Sequence, residues 1–342
     1  MARLPFDAAQ TLAARAFARA GVAIPDADSA AQMLTLTEAM GISTHGLVRV
    51  RDYTARIAAG GIDAQAAPQV ERPAPALLRI DGARGLGPAV AFSALEHTMQ
   101  AARQCGVAAA FLRRASHLGA LAPYLFVAAE HGFAAVITSN TAPMMAPAGG
   151  RAPVIGNNPL GFALPHPEGR HVILDMALSV VSRSRVRAAA RAGTPIPDSW
   201  ATGPDGLPTT DPAQAMRGLM SAIGGDKGAN LALCLDLMAG GLSGAAMLSE
   251  VPTAADTPGA PQDLGQMILL VDAARLLPDT DRAARLDTAA RIVGQSPALN
   301  PAQPPRLPGA RALARLQKAR AEGIDIPSAL LSDLETLAGQ PA

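Results

Sequence analysis

Thr44-His45-Gly46-Leu47-Val48-Arg49 sets an imidazole and a guanidinium four residues apart at the head of a helix-like stretch. On a helix that spacing puts both groups on one face. Ser43 or Thr44 can cap the helix, leaving free backbone N–H groups nearby. A cation, a titratable ring and a helix N-terminus together suit a substrate carboxylate beside a carbonyl that needs a proton. The plainer reading is a histidine that caps or packs, and this segment alone leaves both open.

Outward from that stretch, residues 7–20 and 28–40 carry helical apolar spacing, with Asp26 and Asp28 as caps for the second. Arg49 to Ala59 continues as helix until Gly60-Gly61. Strands are expected at 76–80, 107–112, 134–138, 172–174 and 267–271. Further helices are expected at 89–104, 123–131, 227–242, 280–293 and 310–322. Between 143 and 167 prolines recur, and the segment reads as loop-rich. The irregular mixing of strands and helices predicts an α+β fold rather than regular βαβ succession.

Composition narrows the function. With 342 residues, 49% hydrophobic and 17% charged, the chain is globular. A net charge of +1 and 3% aromatics give no basic surface or stacking platform for nucleic acid. No apolar run is long enough for a bilayer span or a signal peptide, so a cytoplasmic protein with no membrane partner is expected. Cys105 and Cys234 sit in apolar sequence and read as buried free thiols, and no cysteine pair has metal-site spacing.

Three segments bear on ligand binding. Gly82-Ala83-Arg84-Gly85-Leu86-Gly87 follows a strand and precedes a helix, but its spacing fails Gly-x-Gly-x-x-Gly. It reads as a turn whose glycines take positive φ. Gly224-Gly225-Asp226-Lys227-Gly228 opens a long helix with a lysine at its start, which suits a phosphate or carboxylate as well as it suits a solvated turn. Ser116-His117-Leu118-Gly119-Ala120-Leu121 lies between strand and helix. Its small residues would let a ligand approach the backbone, and His117 could donate to a phosphate or carbonyl or simply be a satisfied structural histidine.

These pieces occur in an order that resembles the malate/L-lactate dehydrogenase family of non-Rossmann type. That family also includes ureidoglycolate and sulfolactate dehydrogenases and reductases of Δ1-piperideine-2-carboxylate and Δ1-pyrroline-2-carboxylate. The resemblance runs from about residue 5 to 338. It is carried by Thr-His-Gly-x-x-Arg at 44–49, Ser-His-Leu-Gly-Ala at 116–120, Ser-Asn-Thr-Ala-Pro-Met-Met-Ala-Pro-x-Gly-Gly at 139–150 and Gly-Asn-Asn-Pro-Leu at 156–160. Leu-Asp-Met-Ala-Leu-Ser at 174–179, Pro-Thr-Thr-Asp-Pro at 208–212, Gly-Gly-Asp-Lys-Gly at 224–228 and Arg-Leu-Pro-Gly-Ala-Arg at 306–311 complete it.

The resemblance implies a helical region from 1–65 with 275–342, a mixed sheet region from 66–115 and 151–274, and a cofactor-binding segment at 116–150. It implies a homodimer with the active site near its interface, NAD or NADP as cofactor, and no metal. It implies His45 as proton donor and acceptor, supported by Thr44, with Arg49 on the substrate carboxylate; in some members the histidine matching His117 takes the acid/base role. Cofactor contacts would come from His117, Leu118, Gly119, Ala120, Leu121, Asn157, Asp175, Met176, Ala177, Asp226, Lys227, Arg306, Gly309 and Arg311.

Departures from the family pattern sharpen the substrate question. Thr44 replaces a usual serine and keeps the hydroxyl. Asn157 stands where a substrate-contacting threonine is common, and Gly309-Ala310 where Gly-Glu is usual. Cyclic imine reductases carry an aspartate at the position of Arg185. An arginine there argues for a 2-hydroxy/2-oxo carboxylate over a cyclic imine. With Arg183 it suggests a second anionic group on the substrate, as in malate or sulfolactate, unless both are solvated charges. The expected function is therefore an NAD(P)-dependent 2-hydroxyacid dehydrogenase, with Δ1-piperideine-2-carboxylate/Δ1-pyrroline-2-carboxylate reductase as the alternative and a silent carboxylate- or nucleotide-binding protein as a third reading.

Overall fold

A seven-stranded sheet, in the order β2-β3-β4-β8-β5-β6-β7, forms the centre of the molecule. The computed structural model describes residues 1–254 and 256–339, so residues 340–342 of the expected C-terminal helical region lie outside it. Its strands are β2 (Gln69–Ala74), β3 (Leu77–Asp81), β4 (Val107–Ala115), β5 (Phe133–Ser139), β6 (Leu160–Leu164), β7 (Val172–Met176) and β8 (Leu264–Asp272). Only β3 and β4 pair in parallel, linked by α4 (Gly87–Cys105); the other neighbours are antiparallel. A parallel pair needs such a crossover. The fold is mixed α and β with one βαβ unit, as the irregular alternation predicts.

Buried alternation explains the central strands. Strand β8 departs from it: Leu264 to Ile268 are all buried, because α4 and residues 237–241 both pack against this central strand. Helices α1 (Phe6–Arg19), α2 (Ile24–Ala39), α4 and α5 (Ala122–Glu130) pack alanine-rich faces into the same core as the sheet. Small side chains let helices approach closely, and Phe17, Tyr124 and Phe133 fill the larger gaps. The chain ends meet: β1 (Ala2–Leu4) pairs antiparallel with β9 (Ile324–Ile326), and α11 (Ser328–Ala338) packs on α1.

A second core gathers Met145, Ile155, Leu178, Val186, Ala201 and Met220 between α6 (Arg183–Ala192), α7 (Pro212–Arg217) and α8 (Asp226–Asp236). The expected helix over 227–242 changes at Leu237–Gly241 into a π-helical turn. A side chain on Gly240 would lie 2.5 Å from Asn140 Nδ2, and one on Gly265 would lie 2.0 Å from Ala239 O. The glycines thus let this turn press against β8.

Several expectations need correction. Asp26 and Asp28 do not cap α2; its N-cap is Ala23 and Pro25 sits in the first turn, where a missing N–H costs nothing. Both cysteines are exposed: Cys105 ends α4 just before Gly106, and Cys234 lies on the outer face of α8. Apolar neighbours in sequence point to other faces of a helix. In the 82–87 turn, positive φ falls on Ala83 and Arg84, not on the glycines.

Asp236 is fully buried and ties the two cores together. Its carboxylate accepts from Asn158 Nδ2 at 3.0 Å, Leu248 N at 3.0 Å and Asn140 Nδ2 at 3.4 Å, while Asn140 Oδ1 takes the Gly265 N–H on β8 at 2.9 Å. Asp236→Ala strands these donors and is expected to cost roughly 3 kcal/mol in urea unfolding, with Asp236→Asn costing less. An unchanged midpoint would remove the network from the account of stability.

Candidate active site

The 44–49 segment is built differently from a capped helix. Residues 43–48 form a succession of turns, with His45 N on Ile42 O at 2.9 Å and Arg49 N on Gly46 O at 3.0 Å. Helix α3 begins only at Arg49 and runs to Ala58, with Val48 as N-cap and no side-chain cap. The Thr44 hydroxyl instead shares a 2.9 Å hydrogen bond with His45 Nδ1. Thr44 is exposed and His45 half-buried, so this pair links the ring to solvent.

What holds the turn is a residue the sequence reading passed over. Glu38, buried on α2, accepts the Leu47 N–H at 2.9 Å. Burial pushes its carboxyl up, and the Leu47 N–H opposes that. A β-carbon on Gly46 would lie 2.3 Å from Glu38 Oε2 and 3.0 Å from Glu38 Cα, so only glycine lets the turn sit against α2. A lone carboxylate in the last turns of α2, among the otherwise uncharged residues 30–39, was the available signal.

Arg49 is anchored on one side only. Its Nε donates to Thr44 O at 2.9 Å and its Nη1 pairs with Asp52 at 2.9 Å, while among the described residues nothing bonds to Nη2. One turn later on α3, the buried Tyr53 hydroxyl lies 2.7 Å from His117 Nδ1. The His45 and His117 rings are 5.7 Å apart, centroid to centroid. Burial, with Arg49 adding to it, pulls His45 down to about 4. Burial, then Arg49, His45 and Arg56, hold His117 well below the ordinary value for imidazole. Both rings are neutral at pH 7.

His117 follows β4, and its backbone rests on α4: a side chain on Gly87 would lie 2.2 Å from His117 O. Gly87 therefore serves close packing beneath this segment, a role the spacing argument had not considered. Gly119 takes φ +91°, and Leu118, Ala120 and Leu121 are buried. Leu121 N and Ala122 N both donate to Asp175 Oδ2 at 2.8 Å, joining the 117–121 segment to the end of β7. Burial raises the Asp175 carboxyl despite these two donors.

An open cleft of about 790 Å³ extends from Asp175. Gly41 and Ile42, just before the 43–48 turns, line it together with Arg306, Gly309, Arg311 and Arg315. A side chain on Gly309 would lie 2.8 Å from Ile173 O, so this glycine seats the start of α10 (Ala310–Glu322) on β7. Among the described residues the three arginines have no ion-pair partner, and Arg311 N and Ala312 N have no acceptor. Unpaired guanidiniums and free N–H groups at a helix start fit the phosphates of a dinucleotide. The start of α5 does not, because Asp175 already fills it. Arg315, four residues after Arg311 on α10, was missed and follows from helical spacing.

The remaining expected residues lie further along. Met176 ends β7 and Ala177 follows it. Asn157 O accepts from Leu178 N at 2.7 Å, and Asn157 Oδ1 accepts from Thr141 Oγ1 at 2.9 Å. Asp226 and Lys227 are exposed at the start of α8, and among the described residues no side-chain hydrogen bond joins them to the other candidates. The loop before them is held to the 178–180 segment through Ile223 N on Leu178 O. Arg183 and Arg185 are engaged elsewhere: Arg183 Nη2 donates to Met216 O at 2.8 Å, and the Arg185 guanidinium lies 4.8 Å from the Trp200 ring centroid. They fasten α6 to its neighbours, which removes the support for a second substrate anion at this point.

A nicotinamide-dependent dehydrogenase is the class of protein this fold and site define. The malate/L-lactate dehydrogenase family matches residues 4–335, and the chain belongs to it. It is 34% identical to a Δ1-pyrroline-2-carboxylate reductase of Ancylobacter novellus over 93% of this chain and 92% of that one. It is 33% identical to a (2R)-3-sulfolactate dehydrogenase (NADP+) of Chromohalobacter salexigens over 96% of each. The crystal structure of Δ1-piperideine-2-carboxylate reductase from Pseudomonas syringae superposes with a TM-score of 0.88 at 29% identity, covering 98% of this chain and all of that one.

Gly46→Ala is expected to destabilise the protein by about 1–3 kcal/mol through overpacking against Glu38. Glu38→Ala in the same chain should recover part of that loss, a coupling that denaturant unfolding of the four proteins measures. Additive effects would contradict the contact.

Proposed function

We propose that the protein reduces the carbonyl of a 2-oxo carboxylate, and oxidises the matching 2-hydroxy acid, with NAD(P)H as partner. The observation that carries this is the Thr44–Arg49 turn, which brings an acid/base ring and a half-engaged guanidinium to one place beside a second histidine. When bound, the cofactor supplies a hydride to C2 of the substrate. Arg49 Nη2, with the outer N–H of Nη1, receives the carboxylate and fixes the carbonyl face. His45 gives its proton to the carbonyl oxygen, so C=O becomes CH–OH, and it takes that proton back in oxidation. Thr44 steadies the ring and connects it to water for reprotonation. His117 Nδ1 meets the buried Tyr53 hydroxyl and the Gly119 N–H rather than an exposed hydroxyl. Arg306, Arg311 and Asp175 face the cofactor in this reading, with His117 to Leu121, Asn157, Met176, Ala177, Asp226, Lys227 and Gly309 around it.

The cyclic imine reading keeps a specific support. Reductases of Δ1-pyrroline-2-carboxylate are among the relatives matched over nearly the whole chain, and Arg185 is held by Trp200. The same Arg49 clamp and His45 proton serve a C=N bond next to a carboxylate. The homodimer belongs to this proposal too: α9 (Asp279–Gly294) buries none of its sixteen residues, and Leu276, Ile292 and Leu299 stand exposed around it, as an interface would leave them.

The deciding assay follows NADH and NADPH oxidation with pyruvate, oxaloacetate and 3-sulfopyruvate against Δ1-piperideine-2-carboxylate. Turnover of the oxo acids supports the proposal; turnover of the imine alone transfers it to the second reading, and none at all leaves a binding protein. Arg49→Ala is expected to raise KM for the carboxylate roughly 100-fold while cofactor binding is unchanged. Equal losses of both would show that Arg49 is not the clamp.

The acid limb of the pH profile has a definite sign. Reduction needs protonated His45, so kcat/KM should rise about tenfold for each pH unit lost between 7 and 5 and level off near about 4. Oxidation uses the neutral ring and should be flat over that range. A profile for reduction that is flat from pH 7 to 5 would remove His45 as the acid.

A further inference from the structure

We propose that Tyr53 is a positioning residue that fixes the tautomer of His117, making that ring a hydrogen-bond donor through Nε2 and unfit to accept a proton. The inference rests on the function proposed above for its catalytic meaning, but not for its chemistry. Two groups meet His117 Nδ1: the Tyr53 hydroxyl at 2.7 Å and the Gly119 backbone N–H at 3.3 Å. A backbone amide can only donate, so Nδ1 must be the ring's lone-pair nitrogen, and the single proton of the neutral imidazole sits on Nε2. Tyr53 then also donates, because a lone-pair nitrogen offers its hydroxyl nothing to accept.

The surroundings reinforce this arrangement. Tyr53 is 2% exposed, and burial pushes its phenol above the ordinary range, which keeps the proton on the oxygen. Arg49, His45 and Arg56 bear on His117 and disfavour an imidazolium there. Among the described residues Nε2 has no partner, so its N–H is free for a ligand. Because Tyr53 follows Arg49 by one turn of α3, the helix that carries the carboxylate clamp also sets the second ring. The two histidines thereby divide the work: His45, bonded only to an exposed hydroxyl, can change protonation state, whereas His117 offers a fixed N–H to a carbonyl oxygen, a carboxamide or a phosphate.

The test is a two-bond ¹H–¹⁵N spectrum of histidine-labelled protein, with the His117 signals assigned by their loss in His117→Gln. The expected wild-type pattern at pH 7 is protonated Nε2 and bare Nδ1, with and without NADPH. Tyr53→Phe, which keeps the ring, should move the Nδ1 signal towards that of a tautomer mixture, and lower kcat roughly fivefold with KM for the carboxylate unchanged. A wild-type proton on Nδ1, or a Tyr53→Phe spectrum identical to wild type, would overturn the proposal, whether or not the variant is active. The spectrum needs no substrate. A protein that turns over no oxo acid or imine, yet shows the Nε2–H form, would therefore sink the functional reading and leave the tautomer assignment standing.

Discussion

The antiparallel insertion of β8 between β4 and β5 is the constraint on which the molecule depends. Strand β8 pairs with β4 between Leu264 and Val271, with one irregularity, and with β5 from Gln266 to Asp272, and without it the sheet is two separate three-stranded halves. His117 follows β4 in one half and Asp175 lies on β7 in the other. Their neighbours meet, Leu121 N and Ala122 N on the Asp175 carboxylate, only because β8 holds the halves in register. The same strand carries Gly265, through which Asn140 and Asp236 bind the second core. A strand supplied more than a hundred residues after its neighbours thus places the two halves on which the candidate site is built.

Against that frame the reactive groups are held by packing rather than by loops left free. Glu38 on α2 seizes the turn from behind, Gly46 is the space that contact requires, and Arg49 emerges at the first turn of α3 with part of its guanidinium unspent. Both imidazoles are kept neutral by burial and nearby cations. Under the function proposed above, an arriving carboxylate would offset the charge of Arg49 and so raise the proton affinity of His45. In that proposal, substrate binding and acid formation are the same electrostatic event.

Much of this was legible in the sequence, and the failures have physical causes. Helices with apolar faces, such as α1, α4 and α10, and the continuous apolar run of β8 could be located from periodicity. Strands β1 and β9, three residues each, carry too few side chains for any period to show, and they exist because the chain ends pair. Strand β6, with Gly161 as its second residue and prolines on either side, has no strand signal of its own; it is held between β5 and β7. Helices α6 and α7 were hidden in arginine-rich and proline-rich sequence. At the candidate site, motif order singled out His45, Arg49, His117 and Asp175 by resemblance, whereas Glu38, Tyr53 and Arg315 come to it through tertiary placement. The capping role expected of Thr44 failed because its hydroxyl bonds the neighbouring ring instead. The second-anion role expected of Arg185 lost its support because Trp200, fifteen residues on, takes the guanidinium.

The most direct measurement of the central claim is the proton uptake that accompanies binding of oxamate, a carboxylate that mimics a 2-oxo acid, to the NADH- or NADPH-loaded protein. Calorimetry at pH 5.5 (roughly a unit below the ordinary imidazole value) in buffers of different ionisation enthalpy gives the number of protons taken up. A fraction of a proton per site that vanishes in His45→Gln is the result this account predicts. Binding with no uptake, or with uptake that survives the loss of His45, would contradict the coupling of Arg49 and His45 through the substrate carboxylate.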